Sequence, residues 1–278
     1  MSVNLASKYA SKLDQLFAKG SYTDAAVNQN YDFDGVRTVN VYTVTTTDLV
    51  DYNRESTGDR FGGNNEVQDT VATYTLANDK AFKLVIDRGN YEQQALAKKA
   101  GEVLRAQMDE RVIPVIDADR IAAGAAGATA VSHAVAAGDN VYEDFMKAVA
   151  YLDEAKAPVA GRYAFITPQM YVAIKSKIVS TVNANAYNDK LLPRGFVGEL
   201  DGVNIIVVPA SYFPANTKCV IWHKDALLGA KQIMKTRIIT DSELVDGTVL
   251  TGRFIFDSFV LDGKKKAVAS ITSSTISG

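Results

Sequence analysis

Several residue types are scarce in this 278-residue chain, and their scarcity excludes several classes of protein. With one cysteine and two histidines, the chain can form no internal disulfide and offers few ligands to a transition metal. Thirty basic against 32 acidic side chains leave a net charge of −2, without the basic excess of a dedicated nucleic-acid binder. We therefore predict no metal site, no cofactor and no tight grip on nucleic acid.

Long hydrophobic runs are also lacking. The first 17 residues alternate polar and apolar side chains and contain no apolar core of the kind found in secretory signals. The most membrane-like stretch, residues 121–138, is mostly alanine and glycine and is too weakly apolar to span a bilayer. We therefore expect no membrane partner, and we expect the protein to be made in the cytosol. The 47% of hydrophobic residues is still enough to build a sizeable folded core.

The few features that could carry chemistry each have a simpler structural interpretation. His133 and His223 lack a metal-ligand partner at helical or turn spacing, and Cys219 begins an apolar run typical of a buried strand. Residues 32–35 (DFDG) start like a calcium loop but lack its later ligands, which favours a turn. Residues 117–119 (DAD) are expected to be a solvated helix face or a cap. No G-x-S-x-G motif is present, so serine hydrolysis is not expected.

Residues 193–208 (PRGFVGELDGVNIIVV) are rich in glycine, as phosphate-binding loops are. Such loops follow a strand and open a helix, so that backbone N–H groups point at the anion. Here the glycines come before a strand, and neither nucleotide-binding fingerprint is matched. We therefore interpret Asp201-Gly202 as a turn that leads into a buried strand.

The first half of the chain is predicted to contain an arm, two strands and a helix. Residues 1–35 begin with a short amphipathic helix and have little core of their own. Alternating apolar positions over 39–43 and 82–86 predict two long strands joined by a polar, exposed tip. Such a hairpin is marginally stable alone, so we expect it to lie on another chain. A helix follows, which Pro114 ends or kinks, and the Ala/Gly-rich segment 121–138 is expected to be a close-packed or mobile connection.

The second half alternates helices with short buried strands, which predicts an α/β subdomain. Asn140, with Glu143 three residues later, predicts one helix start, and Thr167 before Pro168 predicts another. The short strands are expected at 163–166, 203–208 and 219–222. Long strands then return, with hairpin turns predicted at the two Asp-Gly pairs, 246–247 and 262–263.

The order of these parts resembles that of a known family. Three stretches carry the resemblance: GRYAFITPQMYVAIK, RGFVGELDGVNIIVVP and DGTVLTGRFIFDSFVLD. They are similar to a strand entering a Thr-Pro helix start, a glycine-punctuated approach to a Val-rich strand, and a long penultimate strand. All three occur in the major capsid proteins of tailed bacteriophages, which have the Hong Kong 97-type fold.

This resemblance implies an α+β fold with the family's four parts. These would be an N-terminal arm (1–36), an extended E-loop hairpin (37–88), a peripheral domain with a long spine helix and long strands (89–124 and 236–278), and an α/β axial domain (125–235). It also implies a structural role without enzymatic activity. Copies of the chain would assemble as pentamers and hexamers into an icosahedral head shell around a double-stranded DNA genome, with no sequence-specific DNA binding.

The resemblance further implies partners and contacts. A portal is expected, and so is a separate scaffolding protein, because the chain has no room for the scaffolding segment of some relatives. The E-loop tip is expected to contact a neighbouring subunit through Arg54, Arg60, Phe61 and Gly62. Residues 54–70 contain no lysine, so the covalent crosslink of some relatives is not expected. Assembly would take place in the host cytoplasm, and the final location would be the virion.

Two alternatives stay open at this point. An encapsulin-like nanocompartment would use the same fold to enclose protein cargo instead of DNA. An α/β enzyme with an unrecognised site would form a monomer or small oligomer with a ligand pocket.

Overall fold

The structure is a computed structural model. It describes residues 20–31, 38–44, 46–58, 60–62, 66, 69–87, 100–132, 140–181, 198–240 and 246–272. Within these ranges helices and strands are mixed, and the strands form three sheets of two, three and six strands. The predicted α+β class is confirmed.

The first sheet is an antiparallel hairpin of β1 (Thr38–Val44) and β2 (Asp69–Thr75). The expectation that strand 82–86 would be the partner of β1 is wrong, because that stretch pairs elsewhere. The chain turns away from the hairpin after β2, where Leu76 is completely buried and the Ala77 N–H donates to Asp257 Oδ2 at 2.8 Å. These two contacts hold the end of the hairpin against the rest of the subunit.

The second sheet has the order β3-β10-β9 and is antiparallel throughout. Its strands are β3 (Asn78–Asp87), β9 (Leu227–Ile239) and β10 (Gly247–Val260). The predicted pairing of these two long strands is confirmed, since β9 pairs with β10 up to Ile239 and Val249. The turn is not at 246–247 as predicted, because Gly247 is the first residue of β10 and pairs with Asp87 of β3. Strand β3 belongs here because its alternating apolar side chains need a covered face, which the two-stranded hairpin cannot supply.

A long helical run packs against this second sheet. It consists of α1 (Ala100–Gln107), a π-helical turn (Met108–Val112) and α2 (Ile113–Gly127). Pro114 does not end the helical run. It is the second residue of α2, directly after the π-helical turn. A proline lacks the N–H that regular helix needs and its ring crowds the carbonyl four residues earlier, so the wider π turn just before it accommodates the proline.

The third sheet is mixed and has the order β4-β11-β8-β5-β7-β6. Parallel pairs join β4 to β11 and β5 to β7, and the other pairs are antiparallel. Its strands are β4 (Thr129–Ser132), β5 (Arg162–Ile166), β6 (Glu199–Leu200), β7 (Val203–Val207), β8 (Thr217–His223) and β11 (Val268–Thr272). The three short strands predicted from the sequence are β5, β7 and β8.

Helices cover both faces of the third sheet, which confirms the predicted α/β arrangement. On one face lie α3 (Val141–Glu154) and α4 (Pro168–Thr181), whose apolar residues share a core with β5, β8 and β11. On the other face, α2 and residues of the N-terminal segment pack around Trp222. The Trp222 ring stacks on Phe165 with centroids 4.3 Å apart, and a Cβ at Gly124 would lie 3.0 Å from it. The part of the Ala/Gly-rich segment described as helix is thus close-packed.

The two predicted helix starts differ in how they are capped. Asn140 is the N-cap of α3, but its side chain makes no capping bond to the backbone and instead donates to Glu143 Oε2 at 3.4 Å. Thr167 caps α4 as predicted, since its Oγ1 accepts the Met170 N–H at 3.4 Å. Both helices begin where the sequence indicates.

The second Asp-Gly pair, at 262–263, does not form the predicted hairpin. A short 3-10 helix, Asp262–Ala267, follows β10, and β11 then joins the third sheet beside β4 and β8. Strand β11 contributes Ala269 and Ile271 to the core on one face of the third sheet and Val268 to the core on the other, so both of its faces are covered there. The division of the chain into arm, E-loop, peripheral and axial parts stays a prediction.

The glycine-rich stretch of the sequence contains a tight turn between β6 and β7. Asp201 and Gly202 both have positive φ, 53° and 76°, which is the geometry of a two-residue hairpin turn. Gly195 lies outside the described residues. The turn leads into β7 and no helix begins there, so the interpretation as a structural corner holds.

Replacing Gly202 with alanine should lower the free energy of unfolding by about 1–2 kcal/mol or more. The left-handed conformation is unfavourable for a residue with a Cβ, and the added atom would overlap the Val159 side chain. Gly101→Ala is the matched control, because Gly101 lies in α1 with no atom near its Cβ position, and should stabilise the subunit by about 0.5–1 kcal/mol. Urea unfolding of both variants measures this, and equal shifts would contradict the assignment of the turn.

Candidate assembly surface

The base of the hairpin is anchored in a small hydrophobic cluster. Tyr74 and Leu76 pack there against Leu228 and Leu261, which belong to the body of the subunit. The Tyr74 hydroxyl accepts the Asp262 N–H at 3.0 Å, and burial raises the pKa of the Tyr74 phenol. Val39, Val41 and Ala72 of the hairpin strands pack against the same cluster, so the strands lie on the body of their own subunit.

Polar contacts also hold the link between β2 and β3. Asp119, on α2, accepts hydrogen bonds from the Ser258 hydroxyl at 2.8 Å and from the Asn78 side-chain amide at 3.0 Å. Burial raises the pKa of Asp119, although the hydrogen bond from Ser258 opposes this effect. The link therefore joins α2, β3 and β10 at the point where the hairpin leaves the body.

The four predicted contact residues, Arg54, Arg60, Phe61 and Gly62, lie together at the far end of the hairpin. The Asn53 N–H donates to Arg60 O at 3.1 Å, which closes the tip, and Arg54 lies in the adjoining turn. The Arg60 Nε–H donates to the backbone carbonyl of Ser56 at 3.0 Å. The tip is therefore locally ordered by its own hydrogen bonds.

Aromatic and aliphatic side chains occupy the same tip. Phe61 meets Tyr52 edge to face, with centroids 5.0 Å apart, yet Phe61 keeps 78% of its surface exposed. Leu49 is fully exposed, and so is 64% of Val50, which packs beside Gly62. Contiguous exposed apolar side chains mark interaction sites. The tip thus leaves several large apolar side chains exposed within its own subunit.

Residues 20–31 of the N-terminal segment pack on their own subunit. The Trp222 indole N–H donates to Ala26 O at 2.7 Å, and Ala26 and Val27 are part of the core around it. Asn28 forms backbone hydrogen bonds to Leu227 and Gly229 at the start of β9. This part of the arm thus has little core of its own, as expected, and its small side chains cover one face of the third sheet of the same subunit. The initial amphipathic helix lies outside the described residues.

The expectation that residues 117–119 form a solvated face or cap is wrong for Asp117, which is completely buried. Its carboxylate accepts hydrogen bonds from the Ser21 hydroxyl at 2.6 Å, the Thr23 hydroxyl at 2.5 Å and the Tyr22 N–H at 2.8 Å. The acidic side chain is buried because these donors replace its water. Asp117 thereby binds the N-terminal segment to α2.

A buried arginine completes this cluster. Arg120 is 1% exposed, lies 3.8 Å from Asp117, and donates from Nη1 to Thr23 Oγ1 and to Asp24 Oδ1, both at 2.8 Å. Burial opposes the ionisation of Asp24, but Arg120, together with Lys231, more than offsets it and lowers the pKa of Asp24. We call this cluster of Ser21, Thr23, Asp24, Asp117 and Arg120 the clasp, because it joins the N-terminal segment to α2 through charged side chains.

The other candidates from the sequence have structural roles where they are described. His223 is buried between Ala160 O, 2.9 Å from Nε2, and the Asp225 N–H, 3.2 Å from Nδ1, so it is a satisfied structural histidine. Cys219 is fully buried in β8, and burial raises the pKa of its thiol. His133 and residues 32–35 lie outside the described residues.

Metal-binding clusters and membrane-spanning helices are both absent from the described ranges. Among residues that the structure describes, no three His, Cys, Asp or Glu side chains cluster as a metal site would require. None of the described helices combines the length and apolar character needed to cross a bilayer.

Known proteins resemble this chain both in sequence and in fold. The family model described as phage capsid protein matches residues 85–271, which is more than half of the chain. The chain belongs to the phage capsid protein family. It is a structural major capsid protein, it assembles with itself into the shell of a phage head, and its location is the capsid of the virion.

Solved structures show the same fold at low sequence identity. A chain from Mycobacterium phage Che8 is 17% identical, with 98% of both chains covered and a TM-score of 0.72. The capsid structure of cyanophage P-SCSP1u is 14% identical, with 99% of this chain and 94% of that chain covered and a TM-score of 0.77. The mature capsid of bacteriophage PhiM1 is 11% identical, with 98% of this chain and 93% of that chain covered and a TM-score of 0.75. These likenesses confirm the Hong Kong 97-type fold. None of the curated proteins matches the chain.

Sequence reasoning located the tip of this capsid protein but missed the clasp. The tip is found because its polar, glycine-rich sequence lies between strand patterns. The clasp joins residues 96 positions apart, Ser21 and Asp117, and a single sequence contains no signal of that pairing. The only local hint is Arg120, one turn after Asp117 on the same helix.

Proposed function

We propose that this capsid protein forms pentamers and hexamers that close into an icosahedral head shell around the double-stranded DNA of a tailed phage. The observation that supports this most directly is the hairpin, fixed to the body at its base and exposing Leu49, Val50 and Phe61 at its tip. An isolated subunit leaves this apolar surface in water, whereas a neighbouring subunit would cover it.

The same proposal assigns the intersubunit contact to the E-loop tip. Arg54, Arg60, Phe61 and Gly62 would lie over the adjacent subunit. Phe61 would be the main anchor, since buried aromatic side chains dominate the binding energy of interfaces. Gly62 would let the backbone turn directly after Phe61, because its φ of 79° suits glycine and a Cβ there would lie 2.9 Å from the Val50 side chain.

The remaining partners are proposed on the strength of the family and of the overall charge. A separate scaffolding protein would direct assembly in the host cytoplasm, and a portal would occupy one vertex. The net charge of −2 suits a wall that confines DNA without binding it tightly or by sequence. The family match favours this role over the nanocompartment and enzyme alternatives.

Nuclease protection tests the DNA-filled shell. Particles purified from infected cells and treated with nuclease should still contain double-stranded DNA of one genome length. The same treatment of shells made by expressing the capsid protein with its scaffolding protein alone should leave no such DNA, which is the control for adventitious binding. Purified particles that contain a folded enzyme instead of DNA would contradict the proposal and support a nanocompartment.

A further inference from the structure

A groove lies between the helical run and the second sheet. Its floor is aromatic, since Phe82 of β3 and Phe254 of β10 stack with their ring centroids 5.9 Å apart and Phe256 belongs to the same apolar cluster. Val112 and Val115 of the helical run line the opposite wall. The interior of the groove is therefore apolar on both sides.

Two backbone features give the groove its shape. Gly252 of β10 is paired directly with Phe82, and a Cβ at this glycine would overlap the Phe82 ring, so the glycine lets the ring lie along the sheet. On the other side, Arg111 and Val112 belong to the π-helical turn. Single π turns inside α-helices occur frequently at functional sites. The groove is therefore formed by the backbone as well as by flexible side chains.

The size of the groove suits one small apolar group. It encloses about 130 Å³, close to the cavity of about 150 Å³, lined by Leu, Ile and Phe side chains, that binds benzene in another protein. Stacked or edge-to-face contacts between aromatic rings contribute more than the burial of their area alone. A benzene ring therefore fits this floor better than an aliphatic chain of equal volume.

The rim of the groove is cationic. Lys80 is paired directly with Phe254, so its side chain leaves the sheet on the same face as the aromatic floor. Arg111 lines the groove from the π-helical turn. Both side chains are exposed, and within the described part of the chain neither takes part in an ion pair or a hydrogen bond. One cation thus comes from the sheet and one from the helical run.

The carboxylates nearest in sequence do not neutralise this rim. Asp79 accepts two hydrogen bonds from Arg253, of 3.1 and 2.6 Å, and Asp109 lies 3.7 Å from Arg105. No carboxylate from the described ranges lines the groove. An apolar pocket with a few polar groups at its edge is the usual form of a small-molecule site, and here those groups select an anion.

We propose that this groove binds a small aromatic carboxylic acid. The ring would lie on the phenylalanine floor, and the carboxylate would lie at the rim beside Lys80 and Arg111. Such a ligand would connect the helical run to β3. Because it would bind the folded subunit and not the unfolded chain, it would stabilise the subunit. The site lies within one subunit, so this inference does not depend on the proposed assembly.

Titration of unassembled subunits with 3-phenylpropionate tests the proposal. Calorimetry should give a dissociation constant of about 1 mM or lower, as expected of a ligand of this size. At about 10 mM the acid should raise the melting temperature of the subunit by about 2–4 °C. The uncharged 3-phenylpropanamide has nearly the same shape and should bind at least about tenfold more weakly, because it cannot pair with the two cations.

Substitutions locate the ligand. Lys80→Ala with Arg111→Ala should weaken binding of the acid at least about tenfold and leave binding of the amide unchanged. Val115→Trp should block both ligands, since Val115 is 42% exposed and a larger side chain there can fill the groove without entering the core. Lys83→Ala with Arg105→Ala is the matched control, because it removes the same residue types from β3 and the helical run at positions that do not line the groove. This control should bind both ligands as wild type does.

Several outcomes would overturn the proposal. They are no binding of the acid to wild type at about 10 mM, equal affinity for acid and amide, and equal loss of acid binding in the control and in the variant of Lys80 and Arg111. Unchanged binding to a Val115→Trp variant that melts within about 2 °C of wild type would also overturn it, because the ligand would then lie elsewhere. A wild-type chain that binds the acid but forms no shells with its scaffolding protein would contradict only the proposed function.

Discussion

Replacing Asp117 with alanine is expected to lower the free energy of unfolding of the subunit by about 3–5 kcal/mol, the usual effect of breaking a buried ion pair by removing one partner. The change leaves the Tyr22 N–H and the Thr23 hydroxyl without their acceptor, and leaves Arg120 with less compensating negative charge in the interior. Urea unfolding of the unassembled subunit measures the difference.

Asp109→Ala is the matched control for this change. It removes the same side chain from the same helical run, but Asp109 pairs with an exposed Arg105 at 3.7 Å, so its loss should change the free energy of unfolding by less than about 1 kcal/mol. Hydrogen exchange adds a local measurement, since the Asn28 and Gly229 amides should lose protection in Asp117→Ala. Equal effects of the two substitutions would show that the clasp does not stabilise the N-terminal segment.

Removing the side chains of Arg60 and Phe61 is expected to affect assembly far more than folding. Phe61 is 78% exposed, so the melting temperature of the double alanine variant should fall by no more than about 2–4 °C even though its edge-to-face contact with Tyr52 is lost. An aromatic anchor buried between subunits is worth about 2 kcal/mol or more, which corresponds to about 30-fold in each contact. A shell repeats the contact many times, so shells should be nearly lost.

Phe256→Ala is the matched control, because it should lower the stability of the subunit more than it weakens the contact between subunits. Phe256 is 3% exposed in the core beneath α2, and its loss should destabilise the subunit by about 3–5 kcal/mol. The comparison requires two measurements on each variant, the melting temperature of the subunit and the fraction of protein in particles. If the Arg60 and Phe61 variant melts early but assembles normally, the tip belongs to the core of its own subunit and the interface assignment is wrong.

Local sequence signals predicted the elements well. The Thr167 cap and strands β5, β7 and β8 were found because their determinants lie within a few residues of one another. The pairing of β9 with β10 was found too, although the turn was placed wrongly at 246–247. The tip was located for the same reason. Its exposure was also predicted, but its aromatic pair came only from the structure, because the packing of Phe61 on Tyr52 depends on how the loop folds back.

Pairings between distant parts of the chain were not predictable from these signals. Strands β3 and β11 were assigned to the wrong partners, since alternation and an Asp-Gly turn indicate a strand without saying which sheet it joins. The burial of Asp117 was missed because an acidic residue on a helix is ordinarily exposed, and its donors come from residues 21–23.

Electron microscopy of the expressed chain, alone and together with its scaffolding protein, tests the central claim most directly. The account predicts closed shells, or discrete rings of five and six subunits, in which density for the hairpin of one subunit lies over the next. Only monomers or small compact oligomers in the presence of the scaffolding protein would contradict it.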